Sequence, residues 1–451
     1  MRSTLKKFIP YAVFRKIEPL GHLMEAIAEQ TVAGFPLKEV NVIGVTGTDG
    51  KTTTCTLITQ MLRNSGKKVA MMTTISQDLG DGRGVIANTS RLTTMGSKQL
   101  VQNLKKIRDA KVDWLVLEVT SHALAQNRVW GIPFSIAVMT NISHEHLDYH
   151  GTFEHYRDSK KKLFTLVGRN KRGKQVGILN AEDPSAELFA AELPNPVAYG
   201  IKKGDIWAKD IKLSASGSSY TAATGNDSYK IKCNLPGSFN VMNSMAALGV
   251  GRAIGLNKEQ IERGIASLKS VEGRMARIDE GQDFEVIIDY AHTPDSFQKI
   301  MEEIKPTVTG KLLVVFGSAG RRDETKRAKQ GKIAAQFADV VIATEEDDRD
   351  IDGDSILKQI ASGAQSAGKI LNKSLFVIHD REEAVATAVQ MAKKGDVVLL
   401  LGKAHEKSIL TNKPGVIHTE KDNFDESTMT ISRPYSEESV ARKALKSLKK
   451  T

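Results

Sequence analysis

Short apolar runs alternate along this chain with segments whose apolar residues recur at helical spacing. That alternation is the signature of βαβ units assembled on a mostly parallel sheet. Residues 40–47 (VNVIGVTG) predict a buried strand, with a helix starting near Lys51 and a strand at 67–75 (KKVAMMTTI). A helix near 97–109 then leads to a strand at 112–120 (VDWLVLEVT), and 134–141 and 175–180 continue the series. Between 205 and 235 polar and apolar residues alternate one by one, with Gly217 and residues 225–227 as turns, which predicts antiparallel hairpins. Two helices (about 238–254 and 258–268) follow, and then a second series of strands at 284–290, 311–317, 339–344, 374–379 and 396–402. The expected fold class is α/β: a central P-loop-type, mostly parallel sheet domain with helices on both faces, plus a C-terminal Rossmann-like α/β domain. A boundary near 270 gives a short helical extension at 1–40, a central nucleotide-binding domain at 41–270 and a C-terminal domain at 271–451.

Composition narrows the chemistry. With 451 residues, 40% hydrophobic and 26% charged, the chain can bury several cores without covalent staples. Cys55 and Cys233 are its two cysteines, too few for a disulfide framework, and no CxxC pair offers a zinc knuckle. A net charge of +11 suits anionic partners. The basic residues are scattered and only 6% of residues are aromatic, which argues against a stacking platform for nucleic acid. The amino terminus starts basic, but its apolar stretch from Phe8 to Phe14 is short, contains Pro10 and runs into Arg15 and Lys16, unlike a signal peptide. No uninterrupted apolar run is long enough for a membrane span. The expectation is a cytoplasmic protein whose first 30 residues form a docked surface helix.

The densest chemical signal is GVTGTDGKTTT, Gly44 to Thr54, between a predicted strand and a predicted helix. Glycines let the backbone curl so that successive N–H groups face a phosphate, and the helix N-terminus adds a positive dipole. Lys51 would reach the β and γ phosphates and Thr52 would ligate magnesium. The pattern G-x-x-x-x-G-K-[ST] is missed by one place, because Val45 stands where its first glycine belongs. The alternative is a tight strand-to-helix turn that merely contains lysine. Glu118 ends one predicted strand and His146 follows another, so both belong to the carboxyl edge where open α/β sheets bind ligands. A carboxylate and an imidazole beside a nucleotide loop can hold a second metal, although each alone is also a common hydrogen-bonded residue.

These segments, in this order, resemble the Mur ligases, the ATP-dependent ligases that build the cell-wall peptide. The loop is similar to the family's G-x-T-G-T-[ND]-G-K-T-[TS]. Matches follow at 117–129 (LEVTSHALAQNRV), 140–164 (TNISHEHLDYHGTFEHYRDSKKKLF), 235–247, 271–279, 286–296 (VIIDYAHTPDS), 315–327 and 401–408 (LGKAHEKS). The likeness covers about residues 41–410 and points to the branch that adds the third residue of the peptide. It implies an ADP-forming acid–amino-acid ligase that uses ATP and Mg2+ and acts on small molecules as a monomer. ATP would phosphorylate the D-Glu carboxylate of UDP-MurNAc-L-Ala-D-Glu, and an amine, expected from a diamino acid, would attack the acyl phosphate. Closure of the C-terminal domain would align the reactants.

The resemblance also carries residue roles. It assigns Thr46, Gly47, Thr48, Asp49, Gly50, Lys51, Thr52 and Thr53 to ATP, together with Asn243, Arg274, Asp289 and His292. It gives the metal to Thr52, Glu118, His146 and Lys160, the last as a carbamate, which turns a cation into an anion able to reach magnesium. Thr93, Thr94, Thr120, Gln126 and Arg128 match residues that hold the acyl substrate, with Leu92 where a polar Asn often precedes the two threonines. Arg322, Gly402 and Glu406 match the amino-acid pocket, and Ala404 replaces a glycine whose backbone can need positive φ. The specificity segment, often D-N-P-R, here reads Glu346–Asp347–Asp348–Arg349. Its arginine suits a distal carboxylate as in meso-diaminopimelate, and its extra acid suits a second amine. Residues 411–433 form a longer link than the family's usual one, with no role assigned.

Relatives carry an amino-terminal domain of roughly a hundred residues that grips uridine diphosphate. Here about 40 residues precede the loop, so the UDP end is expected to be held differently or the acceptor to lack UDP. Two other functions compete: a folylpolyglutamate synthase-like or other amide ligase on a non-UDP acceptor, and a non-catalytic nucleotide-binding scaffold. Lys51, Glu118, His146 and Lys160 together disfavour the scaffold, which needs none of them.

Overall fold

The computed structural model describes residues 11–88, 94–143, 147–214, 217–413, 415, 418–419 and 430–448. They fall into two compact units, Met1–Lys269 and Ser270–Thr451.

In the first unit, α1 (Tyr11–Val32) precedes β1 (Asn41–Thr46), α2 (Lys51–Asn64), β2 (Val69–Met72), β3 (Ser76–Asp78), β4 (Ile86–Ala87) and α3 (Ser97–Asp109). Next come β5 (Trp114–Glu118), α4 (Ser121–Ala125), β6 (Phe134–Met139), α5 (Leu147–His150), α6 (Phe153–Arg169), β7 (Val176–Asn180), α7 (Ala186–Ala190) and β8 (Asn195–Gly200). The unit closes with β9 (Ile206–Ser214), β10 (Gly217–Ala223), β11 (Ser228–Cys233), α8 (Ser238–Ile254) and α9 (Lys258–Ala266). All eleven strands form one sheet in the order β11-β10-β9-β8-β7-β6-β1-β5-β2-β3-β4. From β9 through β2 the pairs are parallel, whereas β9–β10–β11 and β2–β3–β4 are antiparallel ribbons at the two edges. The central strands β1, β5 and β6 are buried on both faces, which is why their sequences read as continuous apolar runs. Strand order reverses beside β1, with β5 and β2 on one side and β6 to β8 on the other. Such a reversal opens a crevice at the carboxyl ends of the strands.

The second unit holds β12 (Ala276–Arg277), β13 (Glu285–Asp289), α10 (Pro294–Ile304), β14 (Leu312–Phe316), α11 (Thr325–Phe337), β15 (Val340–Ala343) and α12 (Gly353–Ser366). It continues through β16 (Leu375–Val377), α13 (Arg381–Met391), β17 (Val397–Leu401), β18 (Ser408–Asn412), β19 (Thr430–Pro434) and α14 (Glu437–Leu448). Six strands form a sheet in the order β12-β13-β17-β14-β15-β16, antiparallel only at β12. Apolar clusters cover both of its faces, one around Phe297, Phe316 and Ile360 and the other around Ile288, Val389 and Leu400. β18 and β19 pair separately as an antiparallel hairpin. On the first face, α11 and α12 touch backbone to backbone. A Cβ on Gly331 would stand 2.1 Å from the carbonyl oxygen of Ile360, and one on Gly363 would stand 2.0 Å from that of Ala328.

Candidate active site

β1 stops at Thr46, and the chain turns through Gly47 (φ +152°) to Gly50 (φ +79°) before α2 starts at Lys51. No side chain caps α2, because its N-cap is glycine. Its first-turn N–H groups therefore face outward, as an anion requires. Both glycines are enforced by neighbours. A Cβ on Gly47 would stand 1.8 Å from Thr140 Oγ1, and one on Gly50 would stand 2.4 Å from Asn243 Oδ1. The loop is stitched to the segment after β6: Thr48 N–H donates to the Asn141 carbonyl (2.7 Å), Asp49 N–H to Asn141 Oδ1 (3.0 Å), and Thr140 Oγ1 to the Asp49 carbonyl (2.6 Å). The Thr48 hydroxyl also meets Tyr156 Oη at 2.9 Å. Lys51 Nζ curls over the loop and donates to the carbonyls of Gly47 (3.1 Å) and Thr48 (2.7 Å). Thr53 is buried on α2, and Thr54 Oγ1 donates to Asn243 Oδ1 (3.2 Å), so Asn243 of α8 lies against the loop.

Glu118 ends β5, only 1% exposed. Its carboxylate accepts from Thr52 Oγ1 (2.9 Å), Thr74 N–H (2.9 Å) and Thr74 Oγ1 (2.8 Å). A threonine hydroxyl and a carboxylate side by side at the foot of a phosphate loop are hard oxygen donors, which fit Mg2+. Burial, reinforced by the Glu118 charge and opposed by Lys51, pushes the Cys55 thiol on α2 well up, so it stays protonated. Lys160 on α6 is 2% exposed, donates to the Gly47 carbonyl and lies 4.5 Å from the centre of the Tyr156 ring. As an ammonium it cannot ligate a cation; as a carbamate it would offer oxygens beside the loop. His146 lies outside the described residues.

Beside Glu118, Thr94 Oγ1 donates to the Glu118 carbonyl (3.2 Å) and lies 3.3 Å from Thr120 Oγ1, which caps α4. Arg128 Nη1 donates to the Thr94 carbonyl (2.9 Å). Gln126 is buried with its Oε1 unpartnered among the described residues. Thr94, Thr120 and Arg128 thus come together, and Thr93 lies outside the described residues.

The second unit gathers its polar residues at the carboxyl ends of β13, β14, β15 and β17. After β13, Asp289 accepts from the N–H groups of Met275 (2.8 Å) and Ala291 (2.8 Å), tying the Arg274 turn to the strand. The Tyr290 ring lies 5.0 Å from the Arg274 guanidinium, 4.8 Å from His292 and 4.7 Å from His405. Burial, helped by Arg274 and Lys407, pushes the His405 imidazole down to about 3, so it is neutral. After β17, Gly402 adopts φ +100° and Ala404 φ +40°, so the alanine occupies the left-handed region that its sequence position called for.

After β15 comes the acidic segment, and Glu345 through Asp350 are all buried. Asp347 Oδ1 accepts from Lys403 Nζ (2.9 Å) and Leu410 N–H (2.8 Å). Lys403 is fully buried and also donates to Glu406 Oε2 (2.5 Å). Burial pushes the Glu406 carboxyl up, and Lys403 only partly offsets this. Glu346 is 8% exposed, and its Oε2 has no partner among the described residues. A Cβ on Gly402 would stand 2.7 Å from that oxygen, so glycine leaves room for it. Arg349 is buried, donates Nη1 to the Gly320 carbonyl (2.6 Å) and lies 4.0 Å from Asp347. Asp348 bonds His379 (3.1 Å), and this bond pushes the imidazole up to about 9. His379 also faces Asp354 (3.4 Å), while the neighbouring Glu345 carboxylate takes Arg433. Arg322 is exposed, and no hydrogen bond or ion pair joins it to this segment among the described residues.

Two residues that the sequence reading left out belong here. Lys403 stands inside a recognised motif, but its partner Asp347 is 56 positions away. Thr74 stands in a strand-like run with nothing to mark it as the second hydroxyl on Glu118.

Two α/β units, one with an uncapped phosphate loop over a buried carboxylate and one with charged residues at its strand ends, define an α/β protein of the nucleotide-loop class. Residues 45–251 match the family described as Mur ligase middle domain, and residues 273–404 that described as Mur ligase, glutamate ligase domain. The chain is 38% identical over 389 residues to a UDP-N-acetylmuramyl-tripeptide synthetase of Roseiflexus sp. (strain RS-1), covering 84% of this chain and 76% of that one. It is also 38% identical to a UDP-N-acetylmuramoyl-L-alanyl-D-glutamate–2,6-diaminopimelate ligase of Geobacillus kaustophilus (strain HTA426), covering 84% and 77%. A solved structure of a UDP-N-acetylmuramoyl-L-alanyl-D-glutamate–2,6-diaminopimelate ligase superposes with a TM-score of 0.65 at 26% identity, over 96% of this chain and 84% of that one. The chain belongs to the Mur ligase family of ATP-dependent ligases.

Proposed function

We propose that this protein joins a diamino acid to the D-Glu carboxylate of UDP-MurNAc-L-Ala-D-Glu in peptidoglycan precursor synthesis, with Mg2+ and in the cytoplasm, as a monomer. Glu346 carries the amino-acid part of this reading. A carboxylate nine-tenths buried with an unpartnered oxygen is costly alone and favourable once a cation reaches it. The ammonium groups of a diamino acid are such cations, and Asp347 and Glu406 beside Lys403 extend the acidic wall.

In this reading residues 41–270 bind ATP and the acyl substrate, residues 271–451 receive the amino acid, and residues 1–40 are an extension. The amide N–H groups of Gly47 to Thr53 and Lys51 Nζ hold the phosphates, with Thr46 ending the strand that presents them. Asn243, Arg274, Asp289 and His292 hold the rest of the nucleotide. Thr52, Glu118, His146 and carbamylated Lys160 would hold Mg2+, which when bound neutralises charge on the transferred phosphoryl group. Thr93, Thr94, Thr120, Gln126 and Arg128 orient the acceptor carboxylate. One carboxylate oxygen attacks the γ phosphorus, the bond to the β-phosphate oxygen breaks, and ADP leaves. The amine nitrogen then attacks the acyl carbon and loses a proton, and inorganic phosphate departs with the bridging oxygen. Lys51, whose two carbonyl partners are inside the loop, moves with little cost to meet the phosphate charge.

The reading is tested by offering meso-diaminopimelate, L-lysine and L-glutamate to the wild type and to Arg349→Lys and weighing the products. Arg349 pairs directionally, so Arg349→Lys should raise the KM for diaminopimelate roughly ten- to a hundredfold. Preference for L-glutamate would overturn the diamino-acid reading.

A further inference from the structure

The longer link at 411–433 has a structural counterpart: β18 and β19 pair as a hairpin, and residues 413–429 join them. That hairpin is sewn to the acidic segment at successive points. Arg433 Nη2 donates to Glu345 Oε1 (2.5 Å), Leu410 N–H to Asp347 Oδ1 (2.8 Å), and Arg349 N–H to the Leu410 carbonyl (2.9 Å). The last point lies within the joining residues. His418 N–H donates to the Asp350 carbonyl (2.8 Å), and His418 Nδ1 meets Asp350 Oδ2 at 3.0 Å.

Asp350 is fully buried, and its carboxylate can only accept, so Nδ1 of His418 carries the proton. The other side of the same carboxylate takes Arg321, through Nε to Oδ1 (2.9 Å) and Nη2 to Oδ2 (2.5 Å). Arg321 and Arg349 both stand at positive φ, +57° and +58°, conformations that non-glycine residues hold only under constraint from their surroundings. Gly320, next to Arg321, donates its N–H to the Asp347 carbonyl (2.8 Å) and accepts from Arg349 Nη1 (2.6 Å). The Arg349 guanidinium is therefore aimed by a ring of contacts running from His418 through Asp350 and Arg321 to Gly320.

We propose that His418 is a positioning residue for amino-acid selection: it clamps Asp350, and through Arg321 and Gly320 it fixes where Arg349 points. The proposal rests on the reading of residues 346–349 as the amino-acid pocket. Both bonds of His418 go to Asp350, next to Arg349, so its effect falls on the amino-acid substrate. Loss of one hydrogen bond to a charged group there should raise the KM for the amino acid about tenfold.

The test compares the full-length wild type with His418→Ala and His418→Asn, in which the asparagine amide can place an N–H where Nδ1 stands. His418→Ala should raise the KM for the preferred amino acid about tenfold, leaving kcat and the KM for ATP within about twofold, and His418→Asn should restore most of it. Hydrogen exchange on the same proteins without substrates should show faster exchange at residues 347–351 in His418→Ala alone. An unchanged amino-acid KM overturns the proposal, whether or not exchange changes. So does an equal rise in the KM for ATP, or the absence of rescue by asparagine. If the wild type joins none of the amino acids, the reading beneath fails instead, and exchange alone then decides whether His418 clamps the segment; unchanged exchange overturns it.

Discussion

Lys160 places an ammonium group, 2% exposed, against the carbonyl of Gly47 in a loop built for phosphate. A cation there duplicates Lys51, whereas a carbamate would complement the oxygens of Thr52 and Glu118. Lys160→Ala should therefore lose most ligation activity, and short carboxylic acids should partly restore it by supplying the missing anion. The ligation rate with and without added formate or acetate checks this, and a Lys160→Ala variant as active as the wild type contradicts it. At this scale the sequence was informative where chemistry and spacing coincide, as in the run from Gly44 to Thr54. Ala404 shows how a single departure is readable, since a residue replacing glycine in a turn inherits its φ, here +40°. Partners distant in sequence were not readable. Lys403 holds Asp347, and Thr74 holds Glu118, across 56 and 44 positions, and no local pattern records such pairings.

Elements buried on both faces announced themselves through their apolar runs, which is why β1, β5, β6, β14 and β17 stand where the pattern predicts them. The alternation at 205–235 likewise became β9 to β11, antiparallel at the sheet edge. The strands that the pattern did not mark are short or half-exposed: β3, β4, β8, β12 and the hairpin of β18 and β19. Their register comes from neighbours rather than from their own residues. α14 follows that hairpin, and one ion pair anchors its first turn. Arg381 and Glu437 are both fully buried, with Nε to Oε2 at 2.9 Å and Nη2 to Oε1 at 3.1 Å. Arg381 also donates to the carbonyls of Glu345 (3.1 Å) and Leu401 (2.7 Å), so the pair links α13, α14 and two strand ends. Removing one partner strands the other charge in the core. Glu437→Ala should lower the stability of the 270–451 unit by about 3–5 kcal/mol, read from urea denaturation of the full chain. A loss below about 1 kcal/mol would show the pair to be dispensable.

Across the whole molecule the same rule of topology gathers candidate residues within each unit. In each unit they lie at the carboxyl ends of parallel strands, and in the first unit beside the reversal of strand order at β1. The alternation of runs and helices was enough to read a doubly covered parallel sheet, while the proposed partition of roles between the units rests on motifs. No described helix is long and apolar enough to cross a membrane. In the proposed reaction ATP activates a carboxylate as an acyl phosphate before the amine attacks. An isotope experiment decides this, with UDP-MurNAc-L-Ala-D-Glu carrying oxygen-18 in the D-Glu side-chain carboxylate, together with ATP, Mg2+ and meso-diaminopimelate. Each turnover should yield ADP, the tripeptide product, and inorganic phosphate carrying one labelled oxygen from the acceptor. Release of AMP and pyrophosphate, or unlabelled phosphate alongside the product, would contradict it.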